Sequence, residues 1–305
     1  MQGLVTKSTG SGYRVLLDDG SSALCRIKGN LRIRGIRTTN PVAVGDYVMV
    51  DGEWITDIMP RRNYIIRKST NLSKQAHILA ANLDQVALIV TIRHPETSTT
   101  FIDRFLATAE AYRIPAVLIF NKIDLLTEDE LTYLTDLRTL YESLDYPTYA
   151  ICAKDRSQIT DSQSPIAQLF AGKTTLLAGN SGVGKSTLLN ALFGRELTRT
   201  ADLSDAHDTG MHTTTFSEMY SLNGGWVIDI PGVKGFGSVE MEPHEVSHYF
   251  RDIFRIGRGC RYSDCLHTGE PGCAVREALE KGKLAITRYE SYLSMLGDEG
   301  EQKYR

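Results

Sequence analysis

The stretch TTLLAGNSGVGKSTLLNALF, residues 174–193, decides the fold. Its first five residues form an apolar run of strand length, and its last nine carry apolar residues at helical spacing. Between them, Gly179-Asn180-Ser181-Gly182-Val183-Gly184-Lys185-Ser186 fits G-x-x-x-x-G-K-[ST], with Thr187 following. The glycines let the backbone turn its N–H groups inward toward phosphate oxygens, and the positive end of the following helix adds to their field. Lys185 is placed to reach the β- and γ-phosphates, and Ser186 to ligate Mg²⁺.

Outward from this loop the pattern repeats. From residue 84, apolar runs (DQVALIVTI, PAVLIF, PTYAIC, TTLLA) alternate with helical stretches near 101–112, 128–144 and 163–170. Such alternation predicts a parallel sheet covered by helices on both faces. The block closes near residue 237. Residues 69–83 read as a polar linker that becomes weakly helical.

The base is read at Asn121-Lys122-Ile123-Asp124, directly after PAVLIF. Guanine offers N1–H and an exocyclic amine along one edge, and the Asp124 carboxylate can accept from both. Adenine has no such donor pair and would leave the carboxylate unpaired. Asn121 is expected to contact the purine and pin the loop, and Lys122 to lie along the base or ribose. Cys152-Ala153-Lys154, after the next strand, stands where a backbone N–H can meet the guanine carbonyl. An alternative reading of Asp124 is an ordinary helix cap after a strand.

Asp229-Ile-Pro-Gly232 closes the strand WVIDI and has the DxxG form. Asp229 is expected to hold Mg²⁺ through water, and the Gly232 N–H to meet the γ-phosphate. Upstream, His212-Thr213-Thr214-Thr215 fits the switch segment whose threonine ligates Mg²⁺, and both Thr213 and Thr214 are candidates. The residue after Gly232 is Val233, which cannot orient a water as the glutamine of Ras-like enzymes does. His212 is the candidate to replace it, unless a partner completes the site.

Residues 1–68 read as short strands (YRVLLDDGS, ALCRIKG, DYVMVDGEWITDIMP) with Asp-Gly turns at 19–20 and 51–52. The pattern predicts a small closed β-barrel: an OB-fold, with an SH3-like barrel as the alternative. Residues 1–70 carry 11 Lys+Arg against 6 Asp+Glu, although the whole chain of 305 residues has a net charge of −3. Arg26, Lys28, Arg32, Arg34 and Arg37 lie in a run free of acidic residues. They are either a solvated loop face or a phosphate-backbone footprint, with RNA as the partner.

The chain has five cysteines, three of them beside His267: Cys260-x4-Cys265-x-His267-x5-Cys273. Three thiolates and one imidazole suit a closed tetrahedral zinc site. With no ligand position left for water, one structural Zn²⁺ is expected, supporting a mostly helical unit with a thin core of its own. Hydrophobic residues at 42% and charged residues at 23% exclude a disordered, collagenous or coiled-coil chain. No apolar run reaches the ~18–20 residues of a membrane span, so no membrane partner is expected.

The motif order is reversed. In most GTPases the phosphate loop comes first and NKxD late; here Asn121–Asp124 precedes Gly179–Thr187, which reads as a circular permutation. This order, with a barrel before it and a Cys/His cluster behind it, resembles the RsgA (YjeQ) family. The resemblance spans the chain through NKID, GNSGVGKST, HTTT, DIPG and the C-terminal cluster. It implies three domains: an OB-fold at 1–68, a circularly permuted α/β P-loop GTPase domain at 69–240 and a helical zinc-binding domain at 241–305. It also implies a GTPase stimulated by the small ribosomal subunit, acting in that subunit's late maturation and contacting its rRNA. The N-terminus, without the apolar core of a secretory signal, reads as that of a cytoplasmic protein, and a monomer is expected. A nucleotide-switched RNA-binding module without turnover is the competing reading. An ATP-dependent kinase or transport ATPase is opposed by Asp124. The permutation further predicts that sensing at Gly232 moves the C-terminal unit through the glycines up to Gly237.

Overall fold

The structure, a computed structural model, describes residues 1–9, 12–28, 41–68, 76–161, 163–197, 217–230 and 241–302. The chain opens with β1 (Gln2–Thr9), β2 (Gly12–Leu17), β3 (Ser22–Ile27), β4 (Tyr47–Asp51) and β5 (Trp54–Ile58). Alternation fixes their faces: on β4, Val48 and Val50 point inward, while Tyr47 and Met49 stay exposed. The order β1-β2-β3-β5-β4, with β4 returning to β1, closes the sheet on itself. β3 and β5 run parallel and every other barrel pair is antiparallel. That Greek-key crossover is the OB-fold path and decides against the SH3-like alternative. Val5, Tyr13, Val15, Cys25, Val48 and Ile55 fill the interior. Both Asp-Gly sites turn with positive φ, at Gly20 and Gly52. β1 goes beyond the sequence reading, because QGLVTKST alternates only weakly.

The expected helical linker is corrected. It contains β7 (Ala76–Ala81), antiparallel to β6 (Tyr64–Lys68). AHILAA has helix formers, but pairing with YIIRK and burial beside the central core decide for strand. Ile65, Ala80 and Leu83 pack into that core, together with Val44 from the barrel.

The central domain then runs β8 (Gln85–Val90), α1 (Thr99–Ala111), β9 (Ala116–Asn121), α2 (Glu128–Ser143), β10 (Thr148–Ile151), α3 (Arg156–Thr160), α4 (Pro165–Phe170), β11 (Thr174–Ala178), α5 (Lys185–Phe193), β12 (Glu218–Leu222) and β13 (Gly225–Asp229). The order β10-β9-β8-β11-β13 is all parallel, with β12 antiparallel at one side. Helices cover both faces, as the alternation predicts. Along β8, Val86, Leu88 and Val90 meet α1 and α2 residues such as Phe105, Leu106 and Leu137. Ala87 and Ile89 meet Leu169, Phe170 and Leu188 on the other face. α2 begins with a full capping box between Thr127 and Glu130.

The C-terminal unit has α6 (Pro243–Val246), α7 (Arg251–Gly257), α8 (Ala274–Glu280) and α9 (Ile286–Gln302). Between α8 and α9 the chain turns at Gly282, with φ +66°. The expected thin core is also corrected. Val246, Phe250, Ile253, Val275, Leu284 and Tyr292 form one cluster, joined by Ala107 of α1.

Candidate functional site

In open α/β sheets, ligands bind beyond the carboxyl ends of parallel strands. Four of the sequence motifs lie at that edge. The phosphate loop follows β11, Asn121 ends β9, Cys152–Lys154 follow β10, and Asp229 ends β13. The reversed chain order changes which strands are joined, not which loops meet.

The loop is built as the glycine spacing requires. Gly179 has φ +142°, and a Cβ there would stand 2.4 Å from the Ile89 carbonyl oxygen. Gly184 has φ +99°, and its Cβ would stand 2.2 Å from Asn121 Nδ2. Backbone packing thus adds to conformation in demanding glycine at both sites. Lys185 Nζ donates to the carbonyls of Gly179 at 2.6 Å and Asn180 at 2.7 Å. Burial lowers the Lys185 pKa, and the nearby Asp229 carboxylate opposes that shift. Burial raises the Asp229 pKa, with Lys185 pulling it down. The hydroxyl of Ser186 and this carboxylate are hard oxygen donors, the type Mg²⁺ takes. Ser181 and Gly182 are exposed, whereas Val183 is buried under the loop.

Asn121 is the keystone of the base side. Its Nδ2 donates to Val183 O at 2.8 Å, and its Oδ1 accepts from Ala153 N at 2.9 Å. One buried amide therefore ties three loops together. Both polar groups of Asn121 are engaged within the protein, and so is the Ala153 N–H, one of the backbone donors of the Cys152–Lys154 segment. Lys122 adopts φ +64°, and its Nζ donates to the His94 carbonyl. Burial lowers its pKa, as does Lys154, against Asp124. Asp124 lies exposed in a short 3-10 turn. A groove of about 410 Å³ opens between Ala153–Lys154 and α5, with Arg156, Thr187 and Asn190 among its walls. The loop after β8 also reaches the site: Pro95 lies against Gly182, where an added Cβ would be 3.4 Å away. No local pattern marks residues so distant in the chain.

Several expected residues fall outside the described ones: His212, Thr213, Thr214, Gly232, Arg32, Arg34 and Arg37. Arg26 and Lys28 are exposed on and just beyond β3, and Arg26 is in register with the exposed Trp54.

The donor atoms of Cys260, Cys265, His267 and Cys273 all lie within 4.8 Å of one another. His267 Nδ1 is 3.5 Å from the sulfurs of both Cys260 and Cys273, which are 4.0 Å apart. Tetrahedral bonds of about 2.3 Å to sulfur and about 2.0 Å to nitrogen place donors about 3.5–3.8 Å apart, so the cluster fits one such ion. Glu270 shapes the ligand loop, accepting the N–H groups of Leu266 (2.7 Å), Thr268 (2.9 Å) and Gly269 (3.0 Å). Burial works to raise its pKa, but these backbone donors outweigh it and hold the carboxyl at about 2. Tyr289 and Tyr292 hydroxyls donate to the carbonyls of His267 and Leu266, both at 2.7 Å. A glutamate between two ligands was the only sequence hint of this outer layer.

Fold and site together define a circularly permuted P-loop GTPase between a five-stranded barrel and a Cys/His-bearing helical unit. The RsgA GTPase family model matches residues 58–239, and the RsgA N-terminal domain model matches residues 2–54. The chain belongs to the RsgA GTPase family. It is 54% identical to the small ribosomal subunit biogenesis GTPase RsgA 2 of Bacteroides thetaiotaomicron, over 100% of this chain and 99% of that one. It is 53% identical to the small ribosomal subunit biogenesis GTPase RsgA of Porphyromonas gingivalis, with the same coverage. Among solved structures it is similar to YjeQ from Thermotoga maritima (TM-score 0.75, 32% identity, 98% of each chain). It is also similar to YloQ, a circularly permuted GTPase (TM-score 0.73, 30% identity, 100% of this chain and 96% of that one).

Proposed function

We propose that this chain binds the small ribosomal subunit and acts in its late maturation, hydrolysing GTP to GDP and phosphate faster when the subunit is bound. The observation that carries the reading is the pair of hydrogen bonds that Asn121 makes, donating to Val183 O and accepting from the Ala153 N–H, which sets the NKID turn against the phosphate loop. Asp124 then accepts the two donors of guanine, beside Lys122, Ala153 and Lys154. Backbone N–H groups from Gly182 to Thr187, with Lys185, bear the phosphate charge. Ser186 and Thr213 or Thr214 would hold Mg²⁺ directly and Asp229 through water, and the ion would supply positive charge against the phosphates. Water attacks the γ-phosphorus as the bond to the bridging oxygen breaks. Val233 offers that water no hydrogen bond, so His212 or a group of the subunit orients it, and the Gly232 N–H holds the γ-phosphate.

The three units divide the labour. The barrel carries the basic residues, including Arg26, Lys28, Arg32, Arg34 and Arg37, for the rRNA backbone. The central domain turns over GTP. The Cys260–Cys265–His267–Cys273 cluster holds one structural zinc. We place the monomeric protein in the cytoplasm with its ribosomal partner; among the described residues no helix is long and apolar enough to cross a membrane.

Phosphate release from GTP and from ATP, measured alone, with small subunits and with large subunits, tests the reading. We expect stimulation only for GTP with small subunits. Asp124→Asn is expected to cut the preference for guanine by about a hundredfold, because a site built for a donor pair rejects its absence strongly. Equal turnover of ATP would revive the ATPase class. Guanine binding without turnover would leave a switch-only RNA-binding module.

A further inference from the structure

A bulge in β1 hands the strand from one partner to another. Gln2 to Leu4 pair with β4 and close the barrel. The register with β2 then slips between Val5 and Lys7. Bulges of this kind bend a strand and re-aim its far end. Beyond the slip, Lys7 lies opposite Glu218, the first residue of β12, and the Ser8 N–H donates to Ser217 O at 3.2 Å. Lys7 Nζ reaches Glu218 Oε2 at 2.8 Å. Across β1–β2 the facing residue is Arg14, so Glu218 also offsets a like-charge pair.

From Glu218 the path leads straight to the hydrolysis site. Glu218 is in register with Asp229 across β12–β13. The Tyr220 hydroxyl donates to Glu218 Oε2 at 3.3 Å. Burial, with the carboxylates of Glu218 and Asp229, pushes that phenol up to about 12. The Tyr220 ring meets Phe193, the last residue of α5, edge-on at 5.8 Å. In sequence, Glu218 stands four residues after Thr214. The side chains of Lys7 and Glu218 are each 25% exposed, so the pair contributes little to stability. Its meaning lies in what it positions.

We propose that Lys7 is a positioning residue for GTP hydrolysis: by holding Glu218 it sets the start of β12, between the HTTT segment and Asp229, and so carries the barrel's binding state to the site of cleavage. This rests on the GTPase reading above. Where the same contact also couples binding, the linkage is reciprocal: the barrel's RNA and the nucleotide state, triphosphate against diphosphate, alter each other's affinity by the same factor.

The test uses the full chain and its Lys7→Met, Lys7→Arg, Glu218→Lys and Lys7→Glu/Glu218→Lys variants. Three quantities are read: GTP affinity, small-subunit affinity with GTP analogue and with GDP, and turnover with and without subunits. We expect Lys7→Met to lower the subunit-stimulated kcat about fivefold or more with KM for GTP unchanged. The ratio of subunit affinities between the two nucleotides should collapse in parallel. Lys7→Arg and the charge-swapped pair should restore both, while Glu218→Lys alone should not. Full stimulation in Lys7→Met, with the wild-type response intact, overturns the relay alone. Loss of subunit affinity that the charge swap does not rescue also overturns it, since Lys7 would then be only an RNA contact. A wild-type chain that subunits fail to stimulate overturns the GTPase reading and the relay with it.

Discussion

The two seams that join the flanking units to the central sheet are built in opposite ways. At the C-terminal seam, Arg288 of α9 is 1% exposed. It makes two 2.9 Å bonds to Asp252 of α7 and one of 2.8 Å to Asp103 of α1. Tyr141 of α2 donates to the same Asp103 oxygen at 2.9 Å. Burial works against the Arg288 charge, yet the two carboxylates more than offset it and hold the guanidinium protonated. Nearby, Arg251 binds Glu110 and the Leu144 and Asp145 carbonyls that end α2, with its guanidinium 4.0 Å over the Tyr146 ring. The barrel seam has the quarter-exposed Lys7–Glu218 pair and one strand contact on one side. On the other, Val44 is bridged to Ala80, the Ala81 N–H donates to Val44 O at 2.9 Å and Asn82 Nδ2 donates to Gly45 O at 2.9 Å. A buried charge network has one good arrangement and fixes orientation, whereas a partly exposed pair breaks and reforms at lower cost. The contrast leads us to expect that α1, α2 and the C-terminal unit move as one body, and that the Lys7–Glu218 edge of the barrel seam is the adjustable one. A swing of the C-terminal unit through the glycines after Gly232, expected from the permutation, would have to break Arg288 from Asp103 or carry α1 along. Residues 231–240 themselves lie outside the described ones.

The harshest way to break the comparison is to remove the proposed zinc. Apparent zinc free energies of about 10–16 kcal/mol for such sites exceed any single side chain here. Cys265 and Cys273 belong to the same buried cluster as Phe250 and Tyr292, which pack beneath the seam. We expect chelation to open the C-terminal unit to protease and to lower its melting more than either substitution below. Metal analysis without zinc, or melting unchanged by chelator, would separate the cluster from the seam's stability.

Next in size is Arg288→Met. It strands two carboxylates in an interior that keeps no compensating charge, which costs about 3–5 kcal/mol. We expect a clear drop in melting temperature and faster proteolysis of both the C-terminal unit and α1. Pairing the change with Asp103→Leu and Asp252→Leu should recover much of the loss, because the penalty lies in the unpaired charges. A single Arg288→Met variant that melts with the parent would mean the seam is not the rigid one.

How far these contrasts were legible beforehand depends on range. The phosphate loop, NKID, DIPG and the Cys/His spacing are local patterns whose chemistry demands particular residues; the structure brings the phosphate loop, Asn121 and Asp229 to one edge of the sheet and the four Cys/His donors together. The alternating strands and helices were legible for the same reason. Asp103, Tyr141, Asp252 and Arg288 were not, because each sits in an ordinary helical pattern and gains meaning only from partners up to 185 residues away. Lys7 and Glu218 are 211 residues apart, in strands too polar or too short to stand out from the sequence. AHILAA by itself suits a helix, and only its pairing with YIIRK makes it β7. The roles of Asn121 and Ala153 were only half read: their identities fit guanine chemistry, but their side-chain amide and backbone N–H are spent tying loops.

The smallest effect is the most discriminating. Lys7→Met removes an ion pair whose members are a quarter exposed, so its cost in stability should not exceed about 1 kcal/mol and should shrink further with salt. The melting temperature of the variant should therefore nearly match the parent's, far above that of Arg288→Met. If the barrel seam is an adjustable joint, that small thermal change accompanies a large loss of subunit stimulation. If the seam is only a weak tether, both changes are small. A large fall in melting would contradict the contrast itself, since it would make the barrel joint as structural as the buried one. Thermal and kinetic effects thus separate along the chain: at Arg288 stability falls first and activity follows, whereas at Lys7 coupling is lost while the fold stays intact.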